Sequence, residues 1–185
     1  NNGLWQLDTQ TFALKHYPYD PASPGTIHNN KPRGMLTDSK KNFWVGTFGG
    51  TLNFYYNGLS AGKRLFGDHP LQQGIANESV ISLLEYDDTL WVGTEGGLSA
   101  LTLSGKVKQN YTSANTPIFR DASAALSLER GPKGEIWIGT WAGGIYRFNP
   151  TSNSWQTLNT RTSPALASDY IWALHKDKNN QIWIG

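Results

Sequence analysis

Cysteine is absent from all 185 residues of the sequence. This absence excludes disulfide bonds, thiolate metal sites and thiol catalysis, but it fits either the cytoplasm or the periplasm. Long apolar runs are missing as well, because no stretch approaches the roughly 18 residues that a membrane-spanning helix needs. We therefore expect this stretch of chain to be soluble.

The sequence also has little excess of charge of either sign. Its formal net charge is +2, and no basic run is longer than the pairs Lys40-Lys41 and Lys63-Arg64. A nucleic-acid-binding surface usually needs a concentrated basic patch, so nucleic acid is not an expected partner. In contrast, 38% of the residues are hydrophobic and 12% are aromatic, which is enough to build a globular core.

What the sequence does contain is one short pattern in four copies. Ile-Trp-Ile-Gly-Thr at 136–140 recurs as Phe-Trp-Val-Gly-Thr at 43–47, as Leu-Trp-Val-Gly-Thr at 90–94 and, shortened, as Ile-Trp-Ile-Gly at 182–185. The four tryptophans are separated by 47, 46 and 46 residues. Spacings of this size are typical of tandem-repeat folds of the propeller kind.

Each copy is too short and too rich in β-branched and aromatic residues to be a helix, so it predicts a strand. Because successive positions are apolar, the strand should be buried on both faces, as between stacked sheets. Trp44, Trp91, Trp137 and Trp183 are accordingly expected in the core, not in a cofactor site. The glycine two residues after each tryptophan has no side chain, which suits a place where another backbone approaches closely.

Four short strands are predicted for each repeat, and we name them a, b, c and d in chain order. The predicted strands are c at 3–7, d at 11–17, a at 34–37, b at 43–47, c at 52–56, a at 79–85, b at 90–94, c at 97–101, d at 106–111, a at 124–129, b at 136–140, c at 145–148, d at 155–158, a at 170–175 and b at 182–185. Turn residues separate them, and no helical period is present.

This arrangement predicts an all-β fold, a β-propeller with about four blades of four antiparallel strands that form part of a larger ring. The repeat units, each running c-d-a-b, are 1–47, 48–94, 95–140 and 141–185. A β-solenoid is the alternative. The turns from strand a to strand b are short enough for hairpins, and antiparallel pairing favours the propeller.

The segment 136–150, Ile-Trp-Ile-Gly-Thr, two residues and then Gly-Gly-Ile-Tyr-Arg-Phe-Asn-Pro, resembles the two-component regulator propeller repeat. The resemblance extends over the whole chain through its four copies. Thr51 departs from it by standing where the second glycine would fall, and the second copy is one residue shorter at Glu95. Members of that family form seven-bladed propellers in the periplasmic sensor regions of hybrid histidine kinases and some diguanylate cyclases.

The resemblance therefore implies a ligand-recognition module in the periplasm, as the soluble part of an inner-membrane receptor. No kinase or cyclase motif is present, so catalysis is not expected in this stretch. Because the sequence ends within a repeat, at Gly185, we expect it to be an excerpt of a longer protein. Further blades of the same chain, or a second copy, are then expected partners, and contact with the membrane would come only through the missing parts.

If the blades are built from a to d outward from the axis, the b-to-c turns and the d-to-a connections open on one face, where we expect the ligand. The candidate ligand-binding residues are Phe48, Glu95 and Trp141 in the turns, with His28, Arg33, Asn77, Glu78, Arg120, Asp121, Asp169 and Tyr170 on the connections; Asn30 also lies there. Aromatic rings beside amide and charged groups suit a small polar ligand such as an oligosaccharide.

Plainer interpretations exist for several of these residues. Phe48 and Trp141 could simply cover a neighbouring turn, and Asn77, Asp121 and Asp169 could bond their own backbone as turn or capping residues. Metal and cofactor sites are not expected, since the four histidines, at 16, 28, 69 and 175, are far apart in sequence. The segment that begins at Asp177 resembles the start of a calcium loop, but a hairpin turn explains it.

Two alternative functions remain open at this stage. A propeller lyase or glycosidase would need a convergent acid and base, which only Glu78, Glu95, Asp121 and Asp169 could supply. A structural propeller that docks other proteins would need neither. No nucleophile elbow, phosphate loop or other catalytic motif supports the first alternative.

Overall fold

A computed structural model describes residues 2–23, 25–56, 62–64, 74–122 and 124–185, with residues 62–64 described as backbone alone. Its strands are β1 (Leu4–Leu7), β2 (Leu14–Tyr17), β3 (Pro32–Thr37), β4 (Phe43–Thr47), β5 (Thr51–Tyr55), β6 (Gly62–Arg64), β7 (Val80–Tyr86), β8 (Thr89–Thr94), β9 (Gly97–Thr102), β10 (Val107–Tyr111), β11 (Ala125–Arg130), β12 (Ile136–Thr140), β13 (Ile145–Asn149), β14 (Ser154–Leu158), β15 (Leu174–Lys176) and β16 (Ile182–Ile184). A 3-10 helix, Pro117–Arg120, precedes β11.

The strands form antiparallel sheets in the predicted order from a to d. Three sheets have four strands each, namely β3-β4-β5-β6, β7-β8-β9-β10 and β11-β12-β13-β14. A two-stranded sheet lies at each end of the chain. In the first of these sheets, β1 and β2 are strands c and d of their blade, and in the last sheet β15 and β16 are strands a and b. The prediction of an all-β fold made of antiparallel blades is confirmed.

The a strands lie next to one another along the inside of the array. Strand β7 contacts both β3 and β11, and β11 also contacts β15. The repeated glycine of strand b explains how the blades approach so closely. A Cβ atom added at Gly46 would lie 2.2 Å from Val80, and one added at Gly93 would lie 2.7 Å from the carbonyl oxygen of Ala125. Each glycine therefore admits the first residue of strand a in the next blade.

The repeated tryptophans fill the space between consecutive blades. Trp44 packs against Val80 and Leu90 of the next sheet, and Trp91 packs against Phe148 of the sheet after that, with ring centroids 5.7 Å apart. Trp44 and Trp91 are buried, as predicted. An aromatic ring in this position buries a large apolar area and contributes strongly to stability.

For the last two tryptophans the prediction of full burial is wrong. Trp137 is only half-buried, because the sheet that covers it, β15-β16, has two strands. Trp183 is 62% exposed, since no described sheet follows β15-β16. Burial of this tryptophan thus depends on the following blade and not on the strand that carries it.

In two of the blades, the turn between strands a and b is held by an aspartate that also accepts the indole N–H of the repeated tryptophan. Asp38 accepts hydrogen bonds from the Trp44 indole at 2.9 Å and from the Asn42 backbone at 2.8 Å. Desolvation raises the pKa of Asp38, but these hydrogen bonds outweigh it and hold the pKa below its usual value. Asp177 bonds the Trp183 indole and the Gln181 backbone in the same way. The segment that begins at Asp177 is therefore a hairpin turn, as predicted.

Three local features differ from the sequence prediction. Strand β6 lies in the long connection between strands c and a, where no strand was assigned, and the 3-10 helix was not expected at all. Strand β15 begins at Leu174 and not at Tyr170, because the N–H groups of Trp172 and Ala173 share one acceptor, the carbonyl oxygen of Gly185. Such sharing interrupts a regular ladder at the start of the strand.

Candidate functional site

A β-bulge near the start of each inner strand sets the geometry of the candidate site. The pairing register shifts between Pro32 and Met35 in β3, between Val80 and Ser82 in β7, and between Ala125 and Ser127 in β11. The shared acceptor before β15 has the same effect in the last blade. A bulge turns a side chain away from the regular alternation of a strand, so one extra residue per blade can face the inside.

The residues within or next to these bulges occupy equivalent places in the repeat. They are Arg33, Ile81, Leu126 and Trp172. A second equivalent position follows strand b, where Phe48, Glu95 and Trp141 begin the turn to strand c. Two positions per blade are thereby brought to the same end of the inner strands.

Backbone hydrogen bonds hold the turn residues beside the inner strands. The N–H groups of Phe48, Glu95 and Trp141 donate to the carbonyl oxygens of residues 31, 79 and 124, which stand immediately before β3, β7 and β11. The side chain of the threonine that ends strand b stabilises the turn through hydrogen bonds. In the third blade, the Thr140 hydroxyl donates to the carbonyl oxygen of Gly144 at 2.8 Å and accepts from the N–H of Gly143.

Together these positions line an open cavity of about 650 Å³. The lining residues are Arg33, Phe48, Ile81, Glu95, Ala124, Leu126, Trp141 and Trp172. A volume of this size is within the range of small-molecule sites, and the predominantly apolar lining with few polar groups is also typical of them.

Three aromatic rings form one wall of the cavity region. The Trp141 ring stands perpendicular to the rings of Tyr170 and Trp172, with centroids 5.3 and 5.1 Å away. All three residues remain about half exposed. Their edge-to-face packing fixes their orientation while leaving apolar surface open to a ligand. We call this group, Trp141, Tyr170 and Trp172, the aromatic wall.

The cavity carries one charge of each sign. The Arg33 guanidinium lies over the Phe48 ring at 5.7 Å, which is a cation–π contact. Glu95 belongs to the next blade, and its backbone N–H bonds the carbonyl oxygen of Ser79. Among the described residues, neither Arg33 nor Glu95 forms an ion pair. Both charged groups therefore remain available to a bound molecule.

The structure brings some of the predicted site residues together and leaves others apart. Arg33, Phe48, Glu95 and Trp141 line the cavity, and Tyr170 adjoins it through Trp141. Tyr170 and six further predicted residues lie outside the lining; those six are His28, Asn77, Glu78, Arg120, Asp121 and Asp169. A ligand-binding role for any of the eleven residues stays a prediction.

Several of the residues outside the lining bond their own surroundings. The Asn77 side chain accepts the N–H of Ser79 at 2.8 Å, which is the turn role that the sequence left open. Asp169 accepts both the N–H and the hydroxyl of Thr160, at 2.7 and 3.0 Å, and so closes the connection between β14 and β15. His28 lies beside the Tyr19 ring, with centroids 6.1 Å apart.

Arg120 and Asp121 stand at the end of the 3-10 helix, where both are exposed. Asp121 nevertheless acts at a distance on Tyr146, a buried residue of β13. Burial raises the pKa of Tyr146 to about 12, and the negative charges of Asp121 and Asp169 add to the effect. These two carboxylates thus lie near the third blade's core, and neither lines the cavity that contains Glu95.

Sequence reasoning missed four lining residues, Ile81, Ala124, Leu126 and Trp172. The alternation of apolar and polar residues in a strand does not indicate that these side chains face the cavity. A β-bulge changes the direction of a side chain and leaves no clear mark on the sequence. Aligning the four repeats around Arg33 would have placed Ile81, Leu126 and Trp172 at positions equivalent to it. That signal was available from the repeat alone.

A second, more polar groove of about 480 Å³ lies between the outer strands β10 and β14. Its lining includes Gln109, Tyr111, Asn115 and Trp155. The Asn115 side chain already bonds Thr112 and the carbonyl oxygen of Asn110. Trp155 stacks on Phe148, with centroids 4.3 Å apart. These groups are used in packing, so the inner cavity is the stronger candidate.

Among the described residues, no group of three His, Asp or Glu side chains is placed to hold a metal ion. Within that part of the chain, His16 stacks on Trp5 and His175 lies 4.0 Å from Glu129. His69 lies outside the described residues. No helix in the described ranges has the length and apolar character needed to cross a membrane.

Comparison with known proteins identifies what the repeat resembles. Residues 165–185 match the model of the two component regulator propeller family. Histidine kinase P4 of Formosa agariphila is 35% identical over 158 residues, which is 82% of this chain and 11% of that kinase. The chain thus spans a small part of the curated relative that it matches.

Solved structures show the same fold. The extracellular domain of a hybrid two component system of B. thetaiotaomicron superposes with a TM-score of 0.77 at 25% identity, covering 100% of this chain and 23% of that one. Virginiamycin B lyase from Staphylococcus aureus, crystallised with quinupristin, superposes with a TM-score of 0.54 at 18% identity over 83% of this chain and 48% of that one. The likeness to the lyase concerns the fold alone.

Proposed function

Because the chain carries the two component regulator propeller repeat, we propose that it is a ligand-recognition module of a membrane-bound signalling receptor. The receptor belongs to the two-component or the cyclic-dinucleotide signalling class, and the module lies in the periplasm. Its ligand occupies the cavity at the bulged ends of the inner strands. The ligand is a small polar organic molecule, for which the sequence suggested an oligosaccharide.

One observation carries this proposal: equivalent positions of successive repeats converge on a single cavity. The packing between blades is already supplied by Trp44 and Trp91, so the core does not require the aromatic wall. Trp141 and Trp172 instead remain half exposed beside two charged groups without ion pairs in the described chain. Exposed aromatic groups beside free charges are more typical of a binding site than of a structural face.

The relatives support a sensor role in general terms. The curated relative is a histidine kinase, and a solved relative is the extracellular part of a hybrid two component system. Periplasmic location and ligand recognition are the finer parts of the proposal. The zero cysteine count is compatible with a periplasmic location and equally with a cytoplasmic one, so it does not bear on either part.

We propose in addition that the module does not itself catalyse a reaction. An acid and a base would have to converge on the substrate, but Glu95 is the one carboxylate in the lining of the cavity. Activity on a polysaccharide that persisted in Glu95→Gln and vanished in Glu78→Gln would show instead that the propeller is a lyase or a glycosidase.

A thermal-shift screen of the purified protein tests the binding proposal. A compound at 100 times its Kd should stabilise the folded protein by about 2.7 kcal/mol, which is a readily visible melting shift. Oligosaccharides and other polar metabolites form the library. The shift should disappear in Trp141→Ala and in Arg33→Ala, whereas Arg161→Ala, an exposed arginine outside the lining, should retain it.

A shift that all three variants retained would place the ligand elsewhere, and a library without any stabilising compound would count against recognition of a small molecule. In that case a partner protein that shielded the loops from proteolysis would favour a docking role. The receptor part of the proposal has a separate check in the gene sequence after Gly185. A membrane-spanning helix followed by a kinase or cyclase domain would support the receptor proposal. A stop codon without any membrane anchor would contradict it.

A further inference from the structure

The charges in the cavity limit which polar molecule can occupy it. Apart from Arg33 and Glu95, the side chains that line the cavity are apolar or aromatic. No amide side chain lines it, although amides were among the predicted site residues. The hydroxyls of a neutral sugar could hydrogen-bond to both charged groups, but a sugar would supply no opposite charge to either of them.

The two charges and the aromatic wall are arranged in order along the blades. Arg33 lies on β3 and Glu95 follows β8, in neighbouring sheets whose inner strands are in contact. The next sheet supplies Trp141, and Trp172 precedes the inner strand after that. A molecule in the cavity thus meets a cation, then an anion, and then an apolar wall.

The Arg33 side chain keeps its donors free while its position is restrained. Its guanidinium carbon lies 5.7 Å from the centre of the Phe48 ring, and a cation–π contact of this kind does not use up the N–H donors. The N–H groups at the edge remain able to bind a carboxylate through two parallel hydrogen bonds, which is the geometry that arginine favours. Glu95 accepts hydrogen bonds only, so it suits an ammonium group.

We propose that the ligand is a zwitterion with an apolar side chain, such as a hydrophobic amino acid or a short peptide. Its carboxylate binds Arg33, its ammonium group binds Glu95, and its side chain packs on the aromatic wall. This inference rests on the proposed function, because it names the ligand class of the same cavity.

Calorimetric titration with a matched set of probes tests the inference. The probes are phenylalanine, phenylalanylglycine, the N-acetyl and C-terminal amide forms of both, and maltotriose as a neutral sugar. One of the two free zwitterions should bind, and removing either of its charges should weaken binding about tenfold or more, since a charge-assisted hydrogen bond is lost each time. Maltotriose should not bind.

Two variants assign the charges to their partners. Arg33→Gln should weaken the free zwitterion about tenfold and make it bind no better than its amide form. Glu95→Gln should do the same for the N-acetyl form. Arg161→Gln and Asp88→Asn remove the same charges at exposed positions outside the cavity and should match the unmodified protein. Equal melting temperatures of all four variants would show that the fold is intact.

The outcomes separate this inference from the proposed function. If maltotriose or another neutral compound from the screen binds and loses affinity in Trp141→Ala, the cavity is a ligand site but the zwitterion inference is wrong. The inference also fails if no zwitterion binds, or if charge removal from the probe changes nothing. The wider screen then decides the proposed function independently.

Discussion

Trp44 combines complete burial against the next sheet with a hydrogen bond from its indole N–H, and no other repeated tryptophan among the described residues has both. Its ring is 0% exposed and lies against the next sheet, and its indole N–H donates to the buried carboxylate of Asp38 at 2.9 Å. Removing the ring would leave a cavity and would take one hydrogen bond from the Asp38 carboxylate, which would keep those from Lys40 and Asn42. Large core substitutions of this kind cost several kcal/mol because the surroundings cannot collapse fully.

We therefore expect Trp44→Ala to reduce the free energy of unfolding by about 3–5 kcal/mol. Trp141→Ala is the matched control, since the same ring is removed from a half-exposed position, and its cost should stay within about 1 kcal/mol. Denaturant unfolding of both variants measures the difference. A large loss in Trp141→Ala would mean that this ring covers a neighbouring turn and serves the fold.

Tyr146 makes the stability of the third blade depend on alkaline pH. Its pKa is raised to about 12 by burial and by the charges of Asp121 and Asp169, whereas an unfolded tyrosine titrates near about 10. Below pH 10 the phenol is neutral in both states, and the contribution to stability is fully present. Between about pH 10 and 12 only the unfolded state loses the proton, so the free energy of unfolding falls as the pH rises.

The expected result is a stability loss between about pH 10 and 12 that is smaller in Tyr146→Phe. Urea unfolding at several pH values measures it in both proteins, and ultraviolet titration of tyrosinate follows ionisation directly. Parallel pH profiles for the two proteins would show that Tyr146 does not keep its proton in the folded state.

Among the elements, the b strand depends most on its neighbour. A Cβ at Gly93 would lie 2.2 Å from the Ser82 hydroxyl and 2.7 Å from the Ala125 carbonyl oxygen, and the second atom belongs to the backbone of the next blade. The inner strand would have to move to make room. Overpacking of this kind usually costs 1–3 kcal/mol, that is, roughly 2 kcal/mol here.

Gly93→Ala should accordingly lower the melting temperature by several degrees. For a domain of this size, each kcal/mol of lost stability lowers the melting temperature by roughly 4 °C or less. Gly74→Ala is the control, because a Cβ there would meet nothing within 4 Å. Calorimetric melting of both variants tests the contact between blades. If the two variants melted together, the close approach of β8 and β11 would not limit this position.

The elements that the sequence predicted best are those whose residues are buried on both faces. Strands β4, β8 and β12 carry the repeated tryptophan pattern and were placed within one residue of their observed bounds. Strand β6 was missed because Gly62–Arg64 has no apolar pattern, and β15 was predicted too long because its irregular start is hidden in a run of apolar residues. Local pattern identifies burial, whereas bulges and outer strands depend on pairing between strands.

For the molecule as a whole, the repeat predicted the propeller, but burial and the site needed the structure. Trp183 stands at the same position of the repeat as Trp44 and yet lies exposed, because its cover would come from a further blade. Turn residues such as Glu95 and Trp141 were placed at the site from their position in the repeat. Trp172 was not, since only the irregular pairing before β15 turns it toward the cavity.

The central claim is that ligand occupies the cavity at the bulged ends of the inner strands. Hydrogen exchange of the purified protein, with and without the compound that gives the largest melting shift, tests this claim directly. The account predicts slower exchange at the hydrogen-bonded amides of Phe48, Glu95, Trp141 and Trp172, because a bound ligand would suppress local opening of these bonds. Slower exchange confined to the outer strands β10 and β14, with these four amides unchanged, would contradict it.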